Sequence, residues 1–581
     1  MEPQEQDHTG RDHESQADPA PICSACGRSF QTAQASYSLG FVSENLNIDE
    51  IYALPIQEGD RNDILERITS LDAQIRSVTT TLDSLRLQKQ TLAYALSPLR
   101  RLPHDVLAHI FSLSVEGDRS RSLEGPYMEW FDRSDSTVLK PLRRPPWALA
   151  QVCRTWRASI LSLPRLWTTF ILDYPPPSTP TSTSFHLNTL HENLEPLLTQ
   201  LRRCQDQPIG VFIDYNEDIP AIRDALAILG SDDVISRWLD ATIYFHVQTP
   251  GLLQPYTKRF CNLSTLHLYF LEESWDNQTT FIDLQDAPRL RNLSIWGQYD
   301  TNDSGLTLQL PWKQITRYMA RDSECYFTSN EFHYAILPLL ENVQECWLDC
   351  VLFTDGPVQF AQVQSPLGLL YLHTLILSSA GVSDASRYPS GIGQFLDQTS
   401  LPALRVLKFR NGLPGDTRSL RNMLERSRCS LYELVMFDLE DHDDSREDFD
   451  SLLHLNSLKS LHILTIGSKD PGAHQTSLRI LDTLTIQTEV EPSLPNLRVF
   501  QTDYPYYRLP WEGLSDMVYS RRRVHFPTQS YHHSLLEHLV IRAHGESMKT
   551  QMEETWIKAT QVFRKLCVEG LVLERRGAGF F

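Results

Sequence analysis

Two cysteines near the start of the chain have the spacing of a metal-binding knuckle. Cys23 and Cys26 form a Cys-x-x-Cys motif, and His8 and His13 precede it. A tetrahedral zinc site needs four such ligands, but in zinc fingers the histidine pair follows the cysteines. Zinc binding and a free pair of thiols both stay open here. The order of the residues favours the free thiols, so we predict no metal.

Motifs of common catalytic chemistry are missing from the rest of the sequence. It has no Walker loop and no Gly-x-Gly-x-x-Gly, His-Glu-x-x-His or Gly-x-Ser-x-Gly motif. Cys346 and Cys350 lie four residues apart, but the pattern around them alternates like a strand, which favours packing in a core. We therefore predict that the protein is not an enzyme and uses no cofactor.

The overall charge argues against two classes of partner. The 581 residues include 73 acidic and 53 basic side chains, a net charge of −20. Such a field repels phosphate backbones and anionic lipid surfaces, so we expect no nucleic acid and no membrane as a partner. Two clusters stand out, the acidic run 438–450 and the basic run 521–523. We expect both to be solvated, with binding of a basic or a phosphate-bearing partner as the alternative.

The start of the chain is polar, and a heptad pattern follows it. Residues 1–60 have too little apolar content to offset the entropy of ordering, so we expect most of them to be disordered. They also lack the apolar run of a secretory signal, so we expect an intracellular protein, cytoplasmic or nuclear.

Residues 61–96 repeat apolar side chains every seven residues, which predicts a long helix of the coiled-coil type. The a positions are Ile68, Ile75, Leu82, Lys89 and Leu96, and the d positions are Ile64, Leu71, Val78, Leu85 and Leu92. A run of threonines at 79–81 weakens the helix. Two arrangements stay open: a parallel homodimer through 64–96, and packing of the helix against the chain's own next domain.

Three apolar blocks follow in the region 97–170. The first, LPHDVLAHIF at 102–111, predicts a short helix, and residues 147–160 have the spacing of a second amphipathic helix. The third block, LPRLW at 163–167, predicts a proline-marked turn. Between the first two, residues 116–146 are rich in Ser, Arg and Pro, which predicts a loop insert.

Together, LPHDVLAHIF, VCRTWRASI and LPRLW resemble the F-box, and the heptad helix before them is similar to that of fungal, mushroom-type F-box proteins. The resemblance implies binding to the Skp-type adaptor of a Skp-cullin-F-box ubiquitin ligase and, through it, to cullin. Nine apolar residues are the predicted adaptor contacts, because they are more than three short helices can bury alone. Which of them face the adaptor and which face the module's own core stays open. They are Leu102, Pro103, Leu107, Ile110, Phe111, Val152, Cys153, Trp156 and Trp167.

A recurring leucine motif marks the region 208–575, which follows a proline-rich linker at 171–207. The form apolar-x-x-apolar-x-apolar recurs at intervals mostly of 27–32 residues, as in Leu404-x-x-Leu407-x-Phe409. This period is typical of leucine-rich repeats. We predict an α/β fold in which a helical F-box module is followed by an irregular leucine-rich-repeat-like solenoid and preceded by the long N-terminal helix. An unrelated α/β domain is the alternative.

In each repeat the residue between the last two apolar positions should point away from the core, because side chains alternate along a strand. This predicts an outward row that begins with His267 and Ser294. The row then provides the predicted substrate-binding residues Ile376, Lys408, Val435, Thr465, Thr485 and Val540. The expected function is a substrate-recognition subunit of the ligase that binds a protein substrate. A scaffold or self-associating adaptor without ligase function is the alternative.

Overall fold

The structure is a computed structural model. It describes residues 58–96, 102–124, 145–173, 194–214, 220–245, 256, 259–270, 280–297, 306–321, 336–349, 366–378, 391–410, 417–437, 451–467, 474–487, 491–503, 511–522, 534–542 and 549–576. The chain divides into two compact units, 1–101 and 102–581, which are treated separately below. Cys23, Cys26, His8, His13 and the acidic run 438–450 lie outside the described residues.

The described part of the first unit is one helix, α1, Glu58–Ala95. It matches the helix predicted over 61–96. The threonine run does not break it, because each hydroxyl donates a hydrogen bond to a carbonyl one turn back. Thr79 bonds Ile75 and Thr81 bonds Ser77, at 2.8 and 2.9 Å.

The second unit is built on a parallel sheet. The strands are β1 Thr169–Asp173, β2 Ile209–Asp214, β3 Trp238–Phe245, β4 Thr265–Phe270, β5 Thr280–Asp283, β6 Asn292–Gly297, β7 Leu306–Gln309, β8 Arg317–Arg321, β9 Glu345–Asp349, β10 Leu367–Gly368, β11 Thr374–Ser378, β12 Thr399–Ser400, β13 Val406–Arg410, β14 Glu433–Phe437, β15 Ile463–Gly467, β16 Val499–Asp503, β17 His538–Arg542 and β18 Val572–Arg576. Fourteen of these described strands form one sheet in chain order, while β5 pairs with β7 and β10 with β12. The predicted α/β class is confirmed.

The leucine motif sets the phase of each strand. Its first apolar residue precedes the strand by two positions, and the other two point to one face. Leu404, Leu407 and Phe409 are all fully buried, and Leu407 lies in register with Leu375 and Leu434 on the neighbouring strands. We call the side that these residues form the core face.

Helices of the second unit contribute to the same core. They are α2 His104–Glu124, α3 Trp147–Ala150, α4 Arg154–Leu161, α5 Glu195–Cys204, α6 Pro220–Leu229, α7 Asp232–Ile235, α8 Gly391–Gln398, α9 Thr417–Ser427, α10 His474–Leu484, α11 Trp511–Arg522 and α12 Lys549–Val568, with 3-10 turns at Pro164–Trp167, Trp312–Gln314, Leu337–Leu339 and Asn456–Leu458. Phe395 of α8 and Leu420 of α9 belong to the same buried cluster as the leucines of the strands. The two helices also contact each other.

Two predictions for the region 97–170 are wrong in detail. Helix α2 continues to Glu124, so the first residues of the predicted loop 116–146 are helical. The single helix predicted over 147–160 is two helices, α3 and α4. The break lies at Cys153, whose backbone is extended and whose thiol accepts the N–H of Trp156 as the cap of α4.

The predicted linker 171–207 contains regular structure. It includes the end of β1 and the whole of α5, and β1 pairs with β2 from Thr169 onward. Leu197, Leu201 and Cys204 give α5 an apolar side at helical spacing that packs against the core. The sheet therefore begins about forty residues before the predicted start at 208.

The repeat predicted at 481–486 is also wrong. Leu481 and Leu484 belong to α10, where Ile480, Leu481 and Leu484 are buried at helical spacing. At the other end, β18 adds a strand that the leucine motif does not mark, because only Leu573, in register with Leu539, stands in place of the usual leucines.

Candidate functional site

The three apolar blocks of residues 102–167 fold around two tryptophans. Trp167 is fully buried and its indole N–H donates to the carbonyl of Ile160 at 3.1 Å. The ring of Trp147 meets it edge-on at 5.0 Å. The guanidinium of Arg203 lies over both rings, 4.6 Å from the centroid of Trp147 and 4.3 Å from that of Trp167. Since Arg203 belongs to α5, the supposed linker stabilises this group of helices.

A second aromatic pair joins α2 to α4. Phe111 is fully buried, and the ring of Trp156 meets it in a T-shaped contact at 4.9 Å between centroids. The cap at Cys153, with 3.5 Å from its sulfur to the nitrogen of Trp156, fixes the start of α4. Trp156 therefore supports the internal packing of these helices.

The nine predicted adaptor contacts fall into three classes. Leu107, Phe111 and Trp167 are buried; Leu102, Cys153 and Trp156 are half-buried; Pro103, Ile110 and Val152 are exposed. The buried three stabilise the helical group and are removed from the predicted contact surface. For the other six, adaptor binding stays a prediction.

An exposed apolar stripe runs along α2. Val106, Ile110 and Leu113 are 39%, 37% and 54% exposed. Their spacing of four and three residues places them on one side of the helix. Val106 and Leu113 are absent from the predicted set, although this spacing could have identified them. Exposed side chains of this kind on one helix side are typical of a protein interface.

The sheet's other face holds the predicted substrate-binding row. The residues in register, which we call the central row, are His267, Ser294, Met319, Trp347, Ile376, Lys408, Val435, Thr465, Gln501, Val540 and Glu574. The row includes five of the six predicted substrate-binding residues. Val435 and Val540 lie outside the leucine cluster, although their strand neighbours Leu434 and Leu539 belong to it.

The exposure predicted for this row is wrong at four positions. Ser294, Val435, Thr465 and Val540 are 6%, 4%, 1% and 1% exposed. In the row, Val435 lies between Lys408 and Thr465, and Val540 lies between Gln501 and Glu574. A position on this face of the sheet is therefore not enough to expose a side chain. Ile376 and Lys408 are half-buried and keep some accessible surface.

Thr485 does not belong to the row. It follows α10, and both its N–H and its hydroxyl donate to the carbonyl of Leu481, at 3.0 and 2.7 Å. Its threonine-flanked sequence imitates the strand motif, but the hydroxyl closes the last turn of a helix instead. Thr485 is therefore removed from the predicted substrate-binding set.

An aromatic row that the sequence reasoning missed lies two residues further along the strands. Tyr244 stacks on Tyr269 at 4.4 Å, and Tyr269 contacts Trp296 at 5.2 Å. Arg321 then lies 5.0 Å from the Trp296 ring and pairs with Asp349, Nε to Oδ2, at 3.1 Å. We call these five residues the terminal row. Its aromatic members each stand three residues after the second apolar position of the motif, which is a signal that could have found them.

The terminal row combines aromatic rings with a charged pair. Burial raises the pKa of the Tyr269 phenol, and the nearby charge of Arg321 only partly opposes this, so the phenol is neutral at physiological pH. The indole Nε1 of Trp296 is buried and has no hydrogen-bond partner among the described residues. Together with the half-buried ion pair of Lys408 and Glu433 at 2.8 Å, this face suits a partly apolar protein segment.

Within the described ranges, no group of three His, Cys, Asp or Glu side chains is arranged to hold a metal ion. Burial raises the pKa of Cys346 to about 12 and that of Cys429 to about 11. Both thiols stay protonated at neutral pH, so neither has the thiolate that a nucleophile needs.

Comparisons with known proteins give no relative. No protein-family model matches the chain, and no curated protein matches it. Among the described helices, none has both the length and the apolar content that crossing a membrane requires.

Proposed function

We propose that the chain is a substrate-recognition subunit of a Skp-cullin-F-box type ubiquitin ligase. In this proposal, residues 97–170 form an F-box that binds the Skp-type adaptor, and the adaptor connects the chain to cullin. The repeat region binds a protein substrate. Catalysis belongs to the partners, and this chain is not an enzyme.

The observation that carries the proposal is the apolar surface of the helical group. Three motif blocks of the F-box pattern occur in order, and their most buried members, including Phe111 and Trp167, pack against one another. The remaining apolar residues stay accessible along α2 and at Val152, which is 59% exposed. Soluble proteins rarely expose such an apolar surface unless a binding partner covers it.

The sheet supports the second half of the proposal. Strands in chain order, most of them preceded by the same leucine motif, fit a leucine-rich-repeat-like solenoid in which successive units bury each other's apolar sides. The proposed substrate surface includes the accessible part of the central row at Ile376 and Lys408. It extends to the terminal row, where Trp296 and Arg321 provide stacking and charge.

Capture of purified adaptor tests the first half. The double variant Ile110→Glu with Val152→Glu should weaken adaptor binding about 30-fold, since a central apolar contact is commonly worth about 2 kcal/mol. Arg165→Glu is the matched control, because Arg165 is exposed in the same helical group but lies outside the predicted contact set. Isothermal titration with full-length variants of unchanged melting temperature gives the comparison. Equal affinity of all three proteins would contradict the F-box proposal.

A scaffold without ligase function is the second candidate, favoured by the exposed seam of α1. Cullin separates the two candidates. Adaptor and cullin should co-purify with a ligase subunit, whereas a scaffold should retain adaptor and lack cullin. If the chain is a ligase subunit, the Ile110→Glu, Val152→Glu variant should lose cullin together with the adaptor.

A further inference from the structure

Helix α1 presents an apolar seam along its whole length. Its apolar a and d residues are between 43% and 75% exposed: Ile64, Ile68, Leu71, Ile75, Val78, Leu82, Leu85, Leu92 and Leu96. With 38 residues, the helix is about 57 Å long at about 1.5 Å per residue. Helices in proteins obtain most of their stability from packing an apolar side against a partner, so this seam requires a partner of similar length.

We infer that this partner is α1 of a second copy, paired antiparallel in a two-stranded coiled coil. The inference is independent of the proposed ligase function. The second copy matches the seam in length and in heptad register over 64–96. Antiparallel pairing then follows from three features of the side chains on and beside the seam.

The first feature is Lys89, the one charged residue among the a and d positions. In a parallel dimer, a positions face a positions, so the two Lys89 ammonium groups would meet inside the seam. In an antiparallel dimer, a faces d, and Lys89 lies opposite Leu71 of the second copy. Its ammonium is then beside Asp72 of that copy instead of another lysine.

The second feature is the charge at the flanking e positions. Antiparallel helices bring e opposite e, which pairs Asp72 with Arg86 twice in the dimer. Arg86 is also 3.4 Å from Asp83 in its own helix, but both side chains are more than 60% exposed, so this pair is weak. The parallel arrangement offers a different attraction, between Arg67 and Asp72, but it also brings the two Lys89 ammonium groups together.

The third feature is the shape of the two ends and the centre. Antiparallel pairing places Leu65, which is 51% exposed, opposite the small Ala93. At the centre it brings Thr79 to Thr79 and Thr81 to Thr81. Their hydroxyls are already bonded within the helix, so their methyl groups are available for contact. No charge is buried at this crossing.

Charge reversals in the full chain test both the dimer and its direction. Sedimentation should give the wild-type protein twice the 66.7 kDa chain mass. Arg86→Asp should raise the dimer dissociation constant about tenfold, since two attractive pairs become repulsive. Adding Asp72→Arg to Arg86→Asp should restore most of the affinity. Glu66→Lys is the control, because this exposed residue lies at the f position, away from the seam.

Other outcomes would contradict either the antiparallel direction or the dimer itself. Restoration by Arg67→Asp with Asp72→Arg, and not by Asp72→Arg with Arg86→Asp, would establish parallel pairing and contradict the antiparallel inference. A monomer at every concentration up to about 100 µM, or a dimer that persists when Leu71 and Leu82 are both changed to Asp, would exclude self-association through α1.

Discussion

The two faces of the parallel sheet carry different side chains but are similarly buried in its C-terminal part. Leu434 and Leu539 on the core face are fully buried, and their neighbours Val435 and Val540 on the other face are 4% and 1% exposed. Helices and the leucine cluster cover the core face, but the short residues of the central row are buried as well. Alternation along a strand therefore determines the side on which a residue lies, but not its exposure.

The faces differ most in the middle of the sheet. On β11 and β13, Leu375 and Leu407 are fully buried, while Ile376 and Lys408 of the central row are half-buried. A protein segment thus has better access to the central row near these strands than near β14 or β17.

Placing a carboxylate on each face should give the largest effect. Leu434→Asp should lower the free energy of unfolding by about 5 kcal/mol, because the charge enters an apolar core without a partner. Val435→Asp, one residue further on, should cost about 3 kcal/mol, since the Lys408 ammonium lies nearby and part of the charge reaches water. Ile376→Asp should cost about 1 kcal/mol. Urea unfolding of the three variants measures this order.

The comparison between the faces fails if Ile376→Asp costs as much as Leu434→Asp. That result would place Ile376 in the core and move the strand phase by one residue. If instead Val435→Asp were neutral, the burial of the central row would be wrong, and the original expectation of an open row would stand. Lys408→Gln, which removes the charge and keeps the first three side-chain carbons, is the control for loss of the nearby ammonium.

The strand positions could be predicted because three apolar residues at fixed spacing must share one side of a short strand. Leu404, Leu407 and Phe409 show this directly, and the heptads of α1 predict its helix in the same way. Thr485 could not be predicted, since its flanking residues fit both a strand and the last turn of a helix. Packing of Ile480 against the core decides between these structures, and that depends on distant residues.

The helical group shows the same limit. The sequence indicates nine apolar residues but not which of them face inward, because Phe111 and Ile110 are neighbours on one helix with equal apolar character. Their sides are fixed by the contacts of Trp156 and Trp167. The break at Cys153 depends on one thiol that replaces a helical backbone bond. Neither fact has a signal in the local spacing of apolar residues.

Arg521 shows a similar failure for a charged residue. The basic run 521–523 predicts a solvated cluster, but Arg521 is fully buried. Its guanidinium donates to the carbonyls of Leu484, Leu494 and Ser493, at 2.8, 3.0 and 2.6 Å respectively. Burial lowers its pKa to about 10, so it stays charged at neutral pH. These three carbonyls, at the end of α10 and in the irregular segment that follows it, accept from the guanidinium and explain why a cation is buried at this place.

The second prediction compares this buried arginine with a more exposed one. Arg521→Met should lower the free energy of unfolding by about 3 kcal/mol, because three buried carbonyls lose their donor. Arg426 has the corresponding place at the end of α9 and donates to Leu396 and Thr399, but it is only half-buried. Water can replace its side chain, so Arg426→Met should cost about 1 kcal/mol. If urea unfolding gave the same loss of stability for Arg521→Met and Arg426→Met, burial would not explain the difference expected between the two arginines.

The last prediction concerns the thiols. Cys346 points to the core face beside Leu348, while Cys261 is exposed. Iodoacetamide at pH 8 should modify Cys261 quickly and Cys346 only after unfolding, as read by mass spectrometry of the peptides. The folded-state pKa of Cys346, about 12, lies above its ordinary value of 9.0. The folded chain therefore holds this proton between these values while the unfolded chain releases it, and stability falls as the pH rises above 9.

Cys346→Ala removes this proton and should make that decline shallower, by about 2 kcal/mol between pH 8 and pH 10.5. The variant's own cavity cost is present at both pH values and cancels in the difference, so the slope isolates the thiol. Cys261→Ala is the control, because it removes a thiol that lies on the surface. If both variants keep the wild-type slope, the strand carrying Cys346 is open to water at alkaline pH, and the contrast between a sealed core face and an accessible opposite face fails at β9.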